Sequence, residues 1–313
     1  MKKRTKAPIQ SYAFIDTNIF LDFYRTSNEA NLTLLEKLNS VRHRIISTYQ
    51  VEMEFLKNRQ TTLLGTINGI SSTTTGSIPA VAIDSNNKEA LEKIRKNSKT
   101  KISQINKKIS SILSDPNGKD RVYRVLEGIF SNEAEHVLTR DMPIKEEIKE
   151  LAYKRFLLGY PPRKAKDTSY GDAINWEWII ETSKKLKGRI YIVSRDGDYG
   201  CEHNSSYFLN DQLKKEFRER VGNKSIVFTK KLTEALKALE VKVTREESEA
   251  EVRSLKKSSS HLESKSHSDS ESDYRANPIF DQIINSILAD IKKEKEDDID
   301  KIIDDILNSG KNA

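Results

Sequence analysis

Five acidic residues stand where short apolar runs end or where helices begin. Asp16 follows Tyr12-Ala13-Phe14-Ile15, and Asp196 and Asp198 follow Ile192-Val193-Ser194-Arg195. Asp172 sits in the first turn of a helix, after Ser169-Tyr170-Gly171, and Glu54 lies on a helix near its start. In open α/β sheets ligands bind at the carboxyl ends of the strands, so acids there are candidate functional groups. Each has a local alternative. Asp16 could cap the next helix, and Asp172 has a spacing like a capping box, gaining about 0.3–1 kcal/mol from the helix dipole. Glu54 could be a solvated helix residue, and Asp196 and Asp198 could form a turn around Gly197. Together the alternatives weaken, because separate β/α units place acids at equivalent ends. Carboxylates brought within a few ångströms repel and stay ionised only if a cation neutralises them. Hard oxygen ligands without His or Cys suit Mg²⁺ or Mn²⁺. Such a site activates water, stabilises charge on a phosphodiester and orients in-line attack.

Other readings of the same residues fail. Asp196-Gly197-Asp198 is not a calcium loop, since Gly200 and Tyr207 stand where a third ligand and a bidentate Glu belong. Asp16 is not a haloacid-type nucleophile, because Asn18 occupies the place of the second Asp. No P-loop, GxSxG or HExxH is found.

The elements that must position these acids follow from periodicity. Strands are expected at Tyr12–Ile15, Arg44–Ser47, Arg189–Ser194 and Ser225–Thr229, with helices at 30–38, 48–59, 121–130, 144–158, 172–187, 210–220 and 231–239. On the 48–59 helix Glu52 and Glu54 lie about 200° apart, so only one of them can face with the core-side residues. Alternation of this kind implies an α/β fold with a mostly parallel sheet. Leu91, Ile94, Ile102, Ile105, Ile109 and Ile112 give an amphipathic helix over 88–113, and 60–158 as a whole reads as a helical insertion projecting from the sheet. Residues 61–87, rich in Thr, Ser and Gly, carry no clear pattern.

Beyond residue 243 the character changes. The Ser-rich stretch 244–276 reads as a disordered linker, and 277–313 as an amphipathic helical segment whose apolar stripe needs a protein partner or a second copy to bury it. Charge divides near the same place: 43 Lys+Arg face 30 Asp+Glu before residue 245, against 11 and 17 from Arg245 onward. A basic body suits a polyanion such as nucleic acid, with the acidic tail as a possible competitor. The single Cys201 excludes an internal disulfide and fits a reducing interior. The basic start Met1-Lys2-Lys3-Arg4 is not followed by an unbroken apolar stretch, and no run approaches a membrane span, so the expectation is a cytoplasmic protein with no membrane partner.

Taken in order, four pieces carry a family resemblance: Phe14-Ile15-Asp16-Thr17-Asn18; Glu54-Phe55 with Asn58-Arg59; Gly159-Tyr160-Pro161-Pro162 leading into Tyr170-Gly171-Asp172-Ala173-Ile174-Asn175-Trp176; and Ile192-Val193-Ser194-Arg195-Asp196. Over about 12–242 the chain resembles PIN-domain nucleases, in the PIN-like subgroup with a long helical insertion. The resemblance implies a three-layer α/β/α fold and metal-dependent hydrolysis of nucleic acid, usually RNA. Its acidic quartet would be Asp16, Glu54, Asp172 and Asp196, with Glu52 competing for the place of Glu54 and Asp198 for that of Asp196. Asn18 and Ser194 match polar neighbours that would hydrogen-bond ligands or the substrate phosphate, and Arg59 falls on the substrate side. Arg155, Arg163, Lys164 and Lys166, just before the Asp172 helix, would be phosphate contacts that position a strand without reading its bases. The leading expectation is a single-strand endoribonuclease, with a toxin or phage-defence role by family analogy. A DNase or flap-type nuclease, and a non-catalytic nucleic-acid-binding scaffold, are the alternatives.

Overall fold

The structure, a computed structural model, describes residues 10–26, 28–71, 85–163 and 169–265. The chain opens with β1 (Ser11–Ile15), α1 (Thr17–Arg25), α2 (Glu29–Ser40), a 3-10 turn (Arg42–Arg44), β2 (Ile45–Thr48) and α3 (Tyr49–Ser71). Then come α4 (Ser85–Ser114), α5 (Pro116–Lys119), α6 (Arg121–Phe130), β3 (Val137–Leu138), α7 (Lys145–Leu157) and α8 (Gly171–Lys185). The remainder is β4 (Arg189–Val193), the hairpin β5 (Gly200–His203) and β6 (Ser206–Leu209), α9 (Asp211–Val221), β7 (Ile226–Thr229), α10 (Leu232–Ala238) and α11 (Arg245–Lys265).

Five strands form one parallel sheet in the order β3-β2-β1-β4-β7. The chain leaves β1 toward β2 and β3, then returns to β1's other side with β4 and β7. That reversal opens a crevice at the carboxyl ends of β1 and β4, the ligand-binding place of doubly wound sheets. Register fixes its occupants: Ile15 pairs with Val193, so Asp16 and Ser194 come next to each other. Ala13, Phe14, Ile45, Ile46, Ile190, Ile192 and Val193 are fully buried, as parallel strands covered on both faces require. The helices α7, α8 and α9 pack on one another with α8 against β2, while α1, α2, α6 and α10 form a second group against β1, β2, β4 and β7; α3 touches both α1 and α8. The sheet is thus flanked by helices, the α/β architecture anticipated from the residue pattern. Among the described residues no helix is long and apolar enough to cross a membrane.

Two expectations need correction, and two elements lie where the sequence carried no clear pattern. The stretch 60–158 is not wholly a helical insertion: β3 adds a parallel strand to the sheet edge, and α6 buries Val122, Val125, Leu126, Ile129 and Phe130 in the common core. Residues 61–71, unassigned from sequence, continue α3. The β5–β6 hairpin was not anticipated, because its turn uses Asn204 and Ser205 at φ of 48° and 60° in place of glycine. The stretch expected as a disordered linker forms α11 from Arg245 to Lys265, and its opening turns belong to the compact unit Met1–Lys257. It docks through carboxylates: Glu247 accepts from Thr33 Oγ1 at 2.5 Å and pairs with Lys37. Glu251 caps α10, accepting from Leu232 N at 2.5 Å and Thr233 N at 3.0 Å. The expected tail segment 277–313 lies outside the described residues.

Candidate metal centre

Asp16 leaves β1 at its carboxyl end, and its backbone N donates to Val193 O at 2.9 Å, which ties it to the end of β4. The residue is only 5% exposed. Its Oδ2 accepts from Asn18 Nδ2 at 2.7 Å and from Ser194 Oγ. Asn18 Oδ1 in turn accepts from Arg195 N at 3.3 Å, and Ser194 Oγ accepts from Asp196 N at 3.0 Å. Two polar side chains therefore lace together the ends of adjacent strands. Glu54 comes in from α3, its carboxylate accepting from Thr17 Oγ1 at 3.1 Å and from Gln50 Nε2 at 2.7 Å. Asp172 enters on the first turn of α8. Gly171 lets that turn come close, since a Cβ there would overlap Gln50 Nε2 and Glu54 Oε1. Carboxylate oxygens of Asp172, Asp196 and Asp198 lie within 4.8 Å of one another.

The electrostatics follow from this convergence. Burial pushes the Asp16 carboxyl up to about 6; Ser194 works against the shift, and the charges of Glu54 and Asp196 add to it. No Lys, Arg or His among the described residues forms an ion pair with Asp16 or Glu54; both are held by neutral donors. Tyr199, next to Asp198, is fully buried with its ring centroid 6.3 Å from that of Phe14. Burial raises its hydroxyl well above the usual tyrosine range, and the charges that raise it further are Asp172, Asp16, Glu54 and Asp196, in that order. The donor set, all carboxylate oxygen with hydroxyl and amide support and no His or Cys, fits a hard divalent cation.

The structure thus brings Asp16, Asn18, Glu54, Asp172, Ser194, Asp196 and Asp198 to one sheet edge. Glu54, not Glu52, is the glutamate whose charge acts on Asp16 and Tyr199. The basic residues fare differently. Arg59 is 3% exposed and is spent inside the fold: it pairs with Asp120 at 2.7 Å, donates to Ile112 O at 3.0 Å and lies over the Tyr123 ring. Arg155, 4% exposed, pairs with Glu177 at 2.8 Å and with Glu216, and donates to Pro161 O at 2.6 Å. Arg163 folds back onto α7, donating to Phe156 O at 2.9 Å with its guanidinium 4.4 Å from the Phe156 ring centroid. Arg59 and Arg155 are not set out toward solvent as phosphate contacts, because each is buried with closer partners within the chain, whereas Arg163 is part-buried. Lys164 and Lys166 lie outside the described residues. Sequence reasoning missed Gln50, Thr17 and Tyr199. Gln50 was findable, four residues before Glu54 on one helix face; Tyr199 reads as an ordinary core aromatic.

A family model described as PIN domain matches residues 13–199. No curated protein and no solved structure matches the chain.

Proposed function

The chain belongs to the PIN-domain family, whose members are generally nucleases, and we propose that it is a Mg²⁺- or Mn²⁺-dependent endoribonuclease of the cytoplasm acting on single strands. The observation that carries the metal-dependent reading is the meeting of Asp172, Asp196 and Asp198 carboxylates within 4.8 Å, beside a buried Asp16 and a Glu54 held only by neutral donors. Asp172, Asp196 and Asp198 would hold the ion, with Asp16 and Glu54 completing the negative pocket. When bound, a divalent ion supplies Lewis acidity to a phosphodiester and activates water for in-line attack. Asn18 and Ser194 keep the Asp16 carboxylate oriented.

A strand preference has support at the mouth of the site. Tyr170, two residues before Asp172, is 36% exposed, and its ring stands 6.1 Å from Tyr153 and 6.3 Å from Phe156. An aromatic face there can stack an unpaired base, which a duplex would not offer. RNA rather than DNA is the family's usual substrate by resemblance.

The test is cleavage of matched RNA and DNA oligonucleotides, single- and double-stranded, by wild type and Asp172→Asn, with Mg²⁺, Mn²⁺ or chelator. Single-stranded RNA should be cut only by wild type with metal, and less as salt rises. Preferential cutting of DNA would move the assignment to a DNase. Binding without cleavage under either ion would leave a scaffold.

A further inference from the structure

Among the described residues, Tyr199 is a buried polar group beside this pocket whose chemistry the proposed reaction leaves unused. Its ring packs in the core beside Phe14, two residues before Asp16 on β1, and its backbone O accepts from Asn210 N at 2.9 Å. The backbone is thereby fixed and the ring fully enclosed, yet the hydroxyl oxygen has no hydrogen-bond partner among the described residues. Buried hydroxyls are rarely left so, because each lost hydrogen bond costs stability. A phenylalanine would fill the same volume at no such cost. The charges acting on the hydroxyl are those of the acidic site itself: Asp172 first, then Asp16, Glu54 and Asp196.

We propose that Tyr199 is a positioning residue of the cation site, its hydroxyl a fixed hydrogen-bonding group whose partner arrives with the hydrated divalent ion. This inference rests on the metal-dependent reading above and deepens it. Asp172, Asp196 and Asp198 would hold the ion, and the Tyr199 hydroxyl would hydrogen-bond to a water that the ion retains. Mg²⁺ keeps several of its waters in protein sites, and donors that orient a metal's surroundings commonly change affinity by about 10- to 100-fold.

The experiment compares wild type, Tyr199→Phe and Asp172→Asn by calorimetric titration with Mn²⁺ and by thermal unfolding in chelator and in saturating Mn²⁺. Tyr199→Phe should weaken Mn²⁺ binding by about 10-fold or more. In chelator its melting temperature should be unchanged or raised by a few degrees, roughly 2–8 °C, since it removes only an unpartnered oxygen. The stabilisation on adding Mn²⁺ should shrink accordingly. Unchanged Mn²⁺ affinity would overturn the proposal. So would a melting temperature lowered equally with and without metal, which would mean that the hydroxyl serves the fold. If wild type itself bound neither Mn²⁺ nor Mg²⁺, the nuclease reading would fall and this inference with it, an outcome distinct from equal binding by both proteins.

Discussion

Two groups of part-buried charges share α8, which carries Asp172 in one and Glu177 in the other, and they are built in opposite ways. Around Arg155 every charge has its complement: Arg155 and Arg220 both meet Glu177 and Glu216, and Trp176 Nε1 donates to Glu216 at 3.1 Å. Two cations and two anions close on themselves, so nothing is left over for a ligand. At the sheet edge carboxylates face other carboxylates, and Asp16 and Glu54 take their hydrogen bonds from Asn18, Ser194, Thr17 and Gln50. A neutral network stabilises a fold, whereas a concentration of one sign is tolerated when something else brings the opposite charge.

Substitutions can break or sharpen that contrast. The largest effect is expected from Arg155→Ala, which leaves Glu177 and Glu216 to share Arg220 alone and opens the buried network. It should cost about 3–5 kcal/mol in denaturant unfolding, with cleavage retained at temperatures where the variant stays folded. A stable variant with weakened nucleic-acid binding would instead restore Arg155 as a phosphate contact. Asp172→Asn should do the reverse, lowering cleavage by roughly 10²–10³-fold while leaving stability in chelator intact.

The pH dependence sharpens the comparison further. The Asp16 carboxyl stands at about 6 against an ordinary 3.8, so the folded state binds its proton more tightly than the unfolded state. Its contribution is fully present below about 3.8 and is lost as pH rises through about 6. In chelator, Asp16→Asn should therefore gain on wild type across that window, by up to about 3 kcal/mol at neutral pH. A gap that stays constant with pH would show that Asp16 is not desolvated as described. The smallest effect should come from Ser194→Ala. Ser194 lowers the Asp16 carboxyl, so its loss should move the acid limb of the rate profile upward. Cleavage should drop about tenfold near pH 6 and little at pH 8, as befits one hydrogen bond to a charged group.

What was legible in the sequence was the part that depends on neighbours along the chain. Ile15 before Asp16, and Ile192-Val193 before the Asp196 loop, announce strand ends bearing acids, and α6 falls at Arg121–Phe130 as its apolar spacing requires. What was hidden depends on partners far away. Arg59 meets Asp120, 61 residues on, and Arg155 meets Glu216 at the same separation, so each looked like a free cation. Val137–Leu138 is too short to show a strand period, although both residues are buried in the sheet. α11 escaped notice because its docking residues, Glu247 and Glu251, are polar, and a Ser-rich acidic stretch with such anchors resembles a linker.

That docking has a practical consequence for dividing the protein. A cut at residue 243, where composition shifts, would strip the cap from Leu232 and Thr233 and leave Lys37 facing empty space, next to helices that flank β1 and β4. An expression boundary drawn beyond the first three turns of α11 keeps the PIN-domain body whole, whatever is done with the acidic extension behind it.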